Sequence, residues 1–254
     1  MYLWRRRASQ QWWSDNEKKL RAAAGDKLAI IDEAGRKRLQ LEVAASSRAE
    51  MQTLVKEFGG RVLKLPRDWL RSFAGQQKTK PIEIRGQKLI IPAGPAFGTG
   101  EHATTAMSLR MIEKLTREWQ PGWSILDLGT GSGILALGAN RLGATHVIGI
   151  DNDPTAIATA RQNARLNKIN GVEFRVGDVR RWKSSRRVDL VTANLFSELL
   201  IKILPNLTVA RWAILSGILR NQEHDVTRAL RRHKIAIVQV RRRGKWVAIL
   251  TALR

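Results

Sequence analysis

The stretch Asp127-Leu-Gly129-Thr-Gly131-Ser-Gly133 carries the strongest chemical signal in this chain. It follows the apolar run "SILDL" and precedes the helical pattern "ILALGANRL", so it reads as a glycine-rich turn between a strand and a helix. Glycines there let the backbone turn tightly and let a ligand approach the main chain closely. A further carboxylate, Asp151, ends the next apolar run, "HVIGID". At that place it can accept both hydroxyls of a ribose. The dinucleotide spacing G-x-G-x-x-G would need a glycine at Ile134, so a nicotinamide dinucleotide fits poorly. Alone, the loop would be an ordinary tight β-α turn; with Asp151 behind it, an adenosine-bearing ligand is the better reading.

A second glycine-rich stretch, "PAGPAFGTGEHATT", lies upstream over residues 92–105. It brings Phe97, Thr99, His102, Thr104 and Thr105 to the start of a helical pattern. Thr104 or Thr105 is expected to cap that helix and turn a hydroxyl toward the ligand. Phe97 is expected to cover a pocket. His102 reads as a hydrogen-bonding organiser or, alternatively, a general base. Downstream, Asp178 follows the strand pattern "VEFRV" and Asn194 ends "VTAN". The four histidines show no metal-ligand spacing and there is no cysteine, so metal and thiol chemistry are not expected.

These residues need a scaffold, and from residue 100 onward the pattern alternates helix and strand. Strands are expected at 124–129, 146–151, 172–178, 188–195 and 212–218, with helices between them and apolar enough to cover a mostly parallel sheet on both faces. "KIAIVQV" and "KWVAILTAL" are separated only by "RRRG", too short for a crossover, so this last pair must be antiparallel. The fold class is therefore α/β, a Rossmann-like sheet of seven strands with an antiparallel C-terminal pair. Before it, residues 1–65 read as a small α+β unit in the order α-β-β-α-β, with a helix from about Ala8 to Ala24 and a hairpin turn at "AGRK". Residues 66–92 read as a linker, helical at first and ending in the hairpin "IEIRGQKLIIPA"; residues 93–254 form the large domain.

The net charge is +23 over 254 residues, and it is unevenly spread. Residues 1–90 hold 20 Lys and Arg against 10 Asp and Glu, and residues 211–254 hold 11 against 2. Basic termini favour a polyanionic neighbour such as RNA or the ribosome. Trp4, Trp12 and Trp13 beside Arg5–Arg7 are either a stacking patch for RNA or the packing face of a terminal helix. "RRHKIAIVQVRRRGKW" reads as a basic sheet edge. With no long apolar run and no secretory pattern, the cytoplasm is the expected location.

"ILDLGTGSGILAL" and "VIGIDNDPTAIATARQNARLN" resemble the corresponding motifs of class I S-adenosylmethionine-dependent methyltransferases over about residues 100–254. "AFGTGEHATTAMSL" and "TANLFSELLIKILPNL" narrow the resemblance to the ribosomal protein L11 methyltransferase family; "DWLRSFAGQQKTKPIEIRGQKLIIPA" is similar to its linker, more loosely. The resemblance implies S-adenosyl-L-methionine as cofactor. By motif position it implies cofactor contacts at Thr105, Gly129, Asp151 and Asn194, with Asp127, Gly131 and Gly133 completing the loop. Asp178 would meet the adenine amino group, or else merely close a strand-end turn. The implied acceptor is an amino group, lysine or α-amino, of a ribosomal protein, with Asn194 offering a carbonyl to its N–H and His102 and Phe97 nearby.

Amide and adenine methyltransferases carry N-P-P-[YF] where this chain has Asn194-Leu-Phe-Ser, which argues against those substrates. The family usually has Thr-His-Pro where this chain has Glu101-His102-Ala103. Its recognition domain is β-α-β-β-α-β, and the first strand is missing from the reading above. Two alternatives stay open: another acceptor, either RNA or a different basic protein, and a methyltransferase-fold module that binds the ribosome or nucleic acid without turnover.

Overall fold

The computed structural model describes residues 2–31, 38–45, 47–65, 81–92, 98, 100, 102–182 and 187–253. The chain divides into two compact units, residues 1–72 and 73–254.

The first unit corrects the sequence reading. It begins with a strand, β1 (Tyr2–Ser9), before helix α1 (Gln10–Ala24), β2 (Leu28–Ile31), β3 (Arg38–Ala45), α2 (Arg48–Phe58) and β4 (Arg61–Lys64). The order is β-α-β-β-α-β, and the sheet runs β2-β3-β1-β4 with every pairing antiparallel. The missing strand was hidden by its arginines. On the face toward the helices the alternation runs Trp4, Arg6, Ala8, opposite Val43, Leu41 and Leu39, so a cation breaks the apolar period. Arg6 is tolerated there because it donates to the Phe58 carbonyl at the end of α2 and lies 4.0 Å over the Trp12 ring. Arg5 sits opposite Glu42 and pairs with it at 2.6 Å. Helix α1 then starts at Gln10, where the Ser9 hydroxyl accepts the Trp12 N–H at 3.1 Å. Trp4 is sealed in the core and donates its indole N–H to Gly59 O at 2.7 Å, so it cannot serve as an RNA-stacking surface. The expected turn at 34–37 and the helical linker at 66–80 lie outside the described residues.

The second unit opens with the hairpin β5 (Ile82–Ile84) and β6 (Gln87–Leu89). Ile84, Leu89 and Ile91 are buried in the unit's core. The Asn167 side chain clamps the backbone of Ile90, accepting its N–H and donating to its carbonyl, each at 2.7 Å. The elements that follow are α3 (Ala103–Leu115), β7 (Ser124–Leu128), α4 (Ile134–Arg141), β8 (His146–Asp151), α5 (Pro154–Leu166), β9 (Val172–Val176), β10 (Val188–Asn194), α6 (Ser197–Ile203), β11 (Ala210–Leu219), α7 (Glu223–Arg232), β12 (Ala236–Arg243) and β13 (Trp246–Ala252).

The seven-stranded sheet has the order β12-β13-β11-β10-β7-β8-β9. Its five interior and β9-side strands are parallel, and β13 runs antiparallel to both neighbours. From β7 the chain builds outward through β8 and β9, then returns to build the other way from β10. The reversal falls between β7 and β10, and crevices at such switch points are where open α/β sheets bind ligands. One face is covered by α3, α4 and α5 and the other by α6 and α7, each over its own apolar cluster. No helix among the described residues is long and apolar enough to cross a membrane.

Candidate active site

The carboxyl ends of β7, β8 and β10 place the candidate residues at the switch point. Asp127 is completely buried, and both its oxygens are used. Thr130 donates to Oδ2 at 2.7 Å and Thr192, its register partner on β10, donates to Oδ1 at 2.6 Å. Burial pushes its pKa up to about 6, against the pull of those hydroxyls. Asp127 therefore shapes the glycine loop from beneath and does not face a ligand.

The loop above it is a sequence of main-chain bonds. The N–H groups of Gly129 and Thr130 both donate to Ile150 O at 2.8 Å, Gly133 N–H donates to Thr130 O at 2.9 Å, and Gly133 then caps α4. Gly131 N–H donates to Asp151 Oδ2 at 2.9 Å. The other oxygen of Asp151 accepts Asp153 N–H at 3.1 Å, and the carboxylate stays half-exposed. Gly129 has φ +73°, and a methyl group on it would lie 2.3 Å from Leu195 Cδ2. Leu195 is wedged from its other side by Gly217, where a methyl would meet the Leu195 carbonyl oxygen at 2.4 Å. Only glycine leaves room for the β10–α6 connection to lie against both the loop and β11.

The described part of the upstream stretch packs on this loop. Ser132 donates its hydroxyl to Gly98 O. Asn163 of α5 donates to Ser132 O at 2.8 Å from the opposite side. A methyl on Gly100 would be 2.3 Å from Ile82 Cδ1. The two glycine-rich stretches thus form one layered assembly. Phe97, Thr99 and Glu101 lie outside the described residues.

Capping at α3 differs from expectation. The cap position is His102, and neither Thr104 nor Thr105 supplies a side-chain capping bond. Thr104 is one position inside the helix and its hydroxyl lies 2.7 Å from His102 Nδ1. Thr105 is fully buried, and its Oγ1 faces Asn194 Nδ2 at 3.5 Å. One turn further along α3, Ser108 joins Ser216 of β11 through their hydroxyls at 2.7 Å. The His102 ring stands edge-on to Trp246, centroids 4.9 Å apart. Its pKa is lowered by burial first and by the charge of Lys245 second, so the ring is neutral near pH 7.

Asp178 sits in a turn after β9, where Arg180 grips it through its guanidinium and its N–H, the closest contact being 2.7 Å. That engagement holds its pKa at about 2. The structure brings Gly129, Asp151, Thr105 and Asn194 to one edge of the sheet. Asp178 lies two residues beyond β9 on the same edge, next to Gly177, whose N–H donates to Asp151 O at 2.9 Å, and it is engaged by Arg180. The braces Thr130, Thr192, Asn163 and Leu195, and the ring of Trp246, were not singled out from sequence; each acts across a tertiary contact that leaves no local pattern.

Half-exposed Asp151, a glycine loop with room for main-chain approach and half-exposed Asn194 form a set suited to S-adenosylmethionine: a carboxylate for ribose hydroxyls, backbone for the amino-acid portion, and an amide at the reacting end. No group of His, Asp and Glu suited to a metal ion occurs among the described residues.

The chain is similar to known methyltransferases. The family model for "Ribosomal protein L11 methyltransferase (PrmA)" matches residues 74–254. A ribosomal protein L11 methyltransferase of Desulforapulum autotrophicum is 40% identical over 166 residues, covering 63% of this chain and 54% of that protein. Its counterpart from Symbiobacterium thermophilum is 36% identical over 196 residues, covering 76% and 60%. The chain thus spans little more than half the length of the curated relatives it matches. The crystal structure of a ribosomal protein L11 methylase from Lactobacillus delbrueckii subsp. bulgaricus aligns with a TM-score of 0.62 at 28% identity, covering 70% of this chain and 91% of that one.

Proposed function

The chain belongs to the ribosomal protein L11 methyltransferase family, and we propose that it is an S-adenosylmethionine-dependent N-methyltransferase acting on lysine or α-amino groups of a ribosomal protein, L11 itself being the substrate. The observation that carries this reading is the pairing of the Asp151-braced glycine loop with Asn194 at the neighbouring strand end. It supplies a donor cradle and an amine-facing group on one sheet edge.

When bound, S-adenosylmethionine supplies a methyl group on a sulfonium. The protein's own part is positioning. Gly129 to Gly133 present main chain to the amino-acid portion, and Asp151 accepts the ribose hydroxyls. The Asn194 amide nitrogen is turned to Thr105, which leaves Oδ1 to accept an N–H of the acceptor and aim its lone pair. An attacking amine must be neutral, and a partly desolvated site favours that form. The neutral His102 ring can take up the proton the amine sheds, with Thr104 holding Nδ1.

The small unit of residues 1–65 serves substrate recognition in this reading. Its β-α-β-β-α-β order matches what the family resemblance implied. The basic termini contact ribosomal RNA, and the reaction takes place in the cytoplasm.

The test is radiolabelled methyl transfer into ribosomes, separated into protein and RNA, beside a titration with S-adenosylmethionine. Label in protein and at least a 10–100-fold loss of donor affinity in Asp151→Ala are expected, the size of a lost charge-assisted bond pair. Label confined to RNA, or no donor binding, overturns it.

A further inference from the structure

Between α3 and the edge strand β12 lies an open cavity of about 230 Å³ lined by Ala106, Met107, Arg110, Arg241, Arg242 and Arg243. Four of the six lining residues are thus arginines, and the guanidinium of one of them, Arg242, is held on the α7 side of the sheet. Arg242 is already matched, donating through two nitrogens to Glu223 of α7. Among the described residues no carboxylate pairs with Arg110, Arg241 or Arg243. Like charges gathered in a concave site raise a positive potential that a polyanion relieves.

The position of this cavity matters as much as its charge. Ala106 is the neighbour of Thr105, and the strand carrying the arginines turns at Gly244–Lys245 into Trp246, whose ring touches His102. A lysine-bearing acceptor approaching Asn194 would therefore meet several uncompensated cations. Filling the cavity with phosphate would remove that repulsion.

We propose that this cavity binds the phosphate backbone of a single-stranded RNA segment beside the acceptor entrance. Guanidinium forks match phosphate oxygens, and an open basic cavity at a sheet edge suits the exposed backbone of a single strand. The choice of RNA over DNA rests on the ribosomal acceptor proposed above; the phosphate grip rests on the cavity alone.

The experiment is fluorescence anisotropy of the full chain with a labelled 12-nucleotide oligouridine across a range of salt. Arg241→Ala/Arg243→Ala is compared with Arg231→Ala/Arg232→Ala, an equal loss of charge at the end of α7 on the opposite sheet face. At about 0.1 M salt the first pair should weaken binding about 10–100-fold and lower the salt slope by about 1.4, two phosphates' worth; the second should weaken it less than about 3-fold. Equal weakening by both pairs, or none, overturns the site. Equal binding of the matching DNA strand overturns the choice of RNA. Displacement by polyglutamate at equal charge concentration overturns a nucleic-acid ligand altogether. Methyl transfer to a free lysine peptide, run alongside, should survive in Arg241→Ala/Arg243→Ala. Its absence from the wild type would sink the enzymatic reading without touching the RNA result.

Discussion

Thr192 donates its hydroxyl to Asp127 Oδ1 at 2.6 Å, straight across paired positions of β10 and β7. With Thr130 on the other oxygen, a buried carboxylate ties the glycine loop to the strand that ends in Asn194. The proposed donor cradle and the residue proposed to face the acceptor are thereby held in one register. The arrangement has a thermodynamic signature. The Asp127 pKa is raised from 3.8 to about 6, so the folded state holds its proton more tightly than the unfolded chain does. Stability tied to this group is greatest below pH 4 and declines as pH rises through 6, by roughly 3 kcal/mol in all. Asp127→Asn should remove that decline. Urea midpoints of both proteins between pH 4 and 7 would show the difference; parallel curves would refute the assignment.

Gly129→Ala should cost more than donor binding alone. The left-handed backbone costs an alanine on the order of 1 kcal/mol, and its methyl group collides with Leu195. Leu195→Ala added to it should recover the collision part and leave the backbone part. A double-mutant cycle on thermal stability and on S-adenosylmethionine affinity separates the two, and strict additivity would mean that the wedge does not couple them.

Lys245→Gln should raise the pKa of His102 toward 6.5, because it removes the second of the two causes that lower it. Burial, the larger cause, remains, so the recovery is partial. A ring-proton NMR titration of His102 reads this directly. A fall, or no movement, would show that Lys245 does not act on the ring.

Trp4→Ala should destabilise the first unit by about 3–5 kcal/mol, the cost of emptying a large buried site. Its indole bond to Gly59 is lost as well. If Trp4 were instead an RNA-stacking residue, the substitution would weaken RNA binding and leave unfolding unchanged.

Much of the large unit was legible because its strands are buried on both faces and its turns are marked by glycine and Asp-Pro. Asp153 before Pro154 announces α5, and its side chain does accept Thr155 N–H at 2.7 Å. The glycine loop and Asp151 were legible for the same reason: each stands at a strand end that the apolar runs define. What was missed depends on contacts between distant segments. Arg6 hides β1 because its partners, the Phe58 carbonyl and the Trp12 ring, come from two different helices. The direct capping role expected of Thr104 and Thr105 failed because the cap falls at His102, two residues before Thr104 and three before Thr105; Thr104 turns to the neighbouring His102 ring and Thr105 to the distant Asn194. Asp127 is grouped with the cofactor loop by its place in the motif, and nothing local reveals that Thr192, 65 residues away, would cover it.

The Asn167 clamp on Ile90 sets where the large unit can be cut. Composition suggests a seam near residue 92, after the hairpin. A fragment starting there would lose Ile84, Leu89 and Ile91 from the core and leave the Asn167 amide without the backbone groups it serves. The shortest piece able to fold independently must therefore begin no later than about residue 81, and any fusion or domain exchange in this protein has to carry the hairpin along with the sheet.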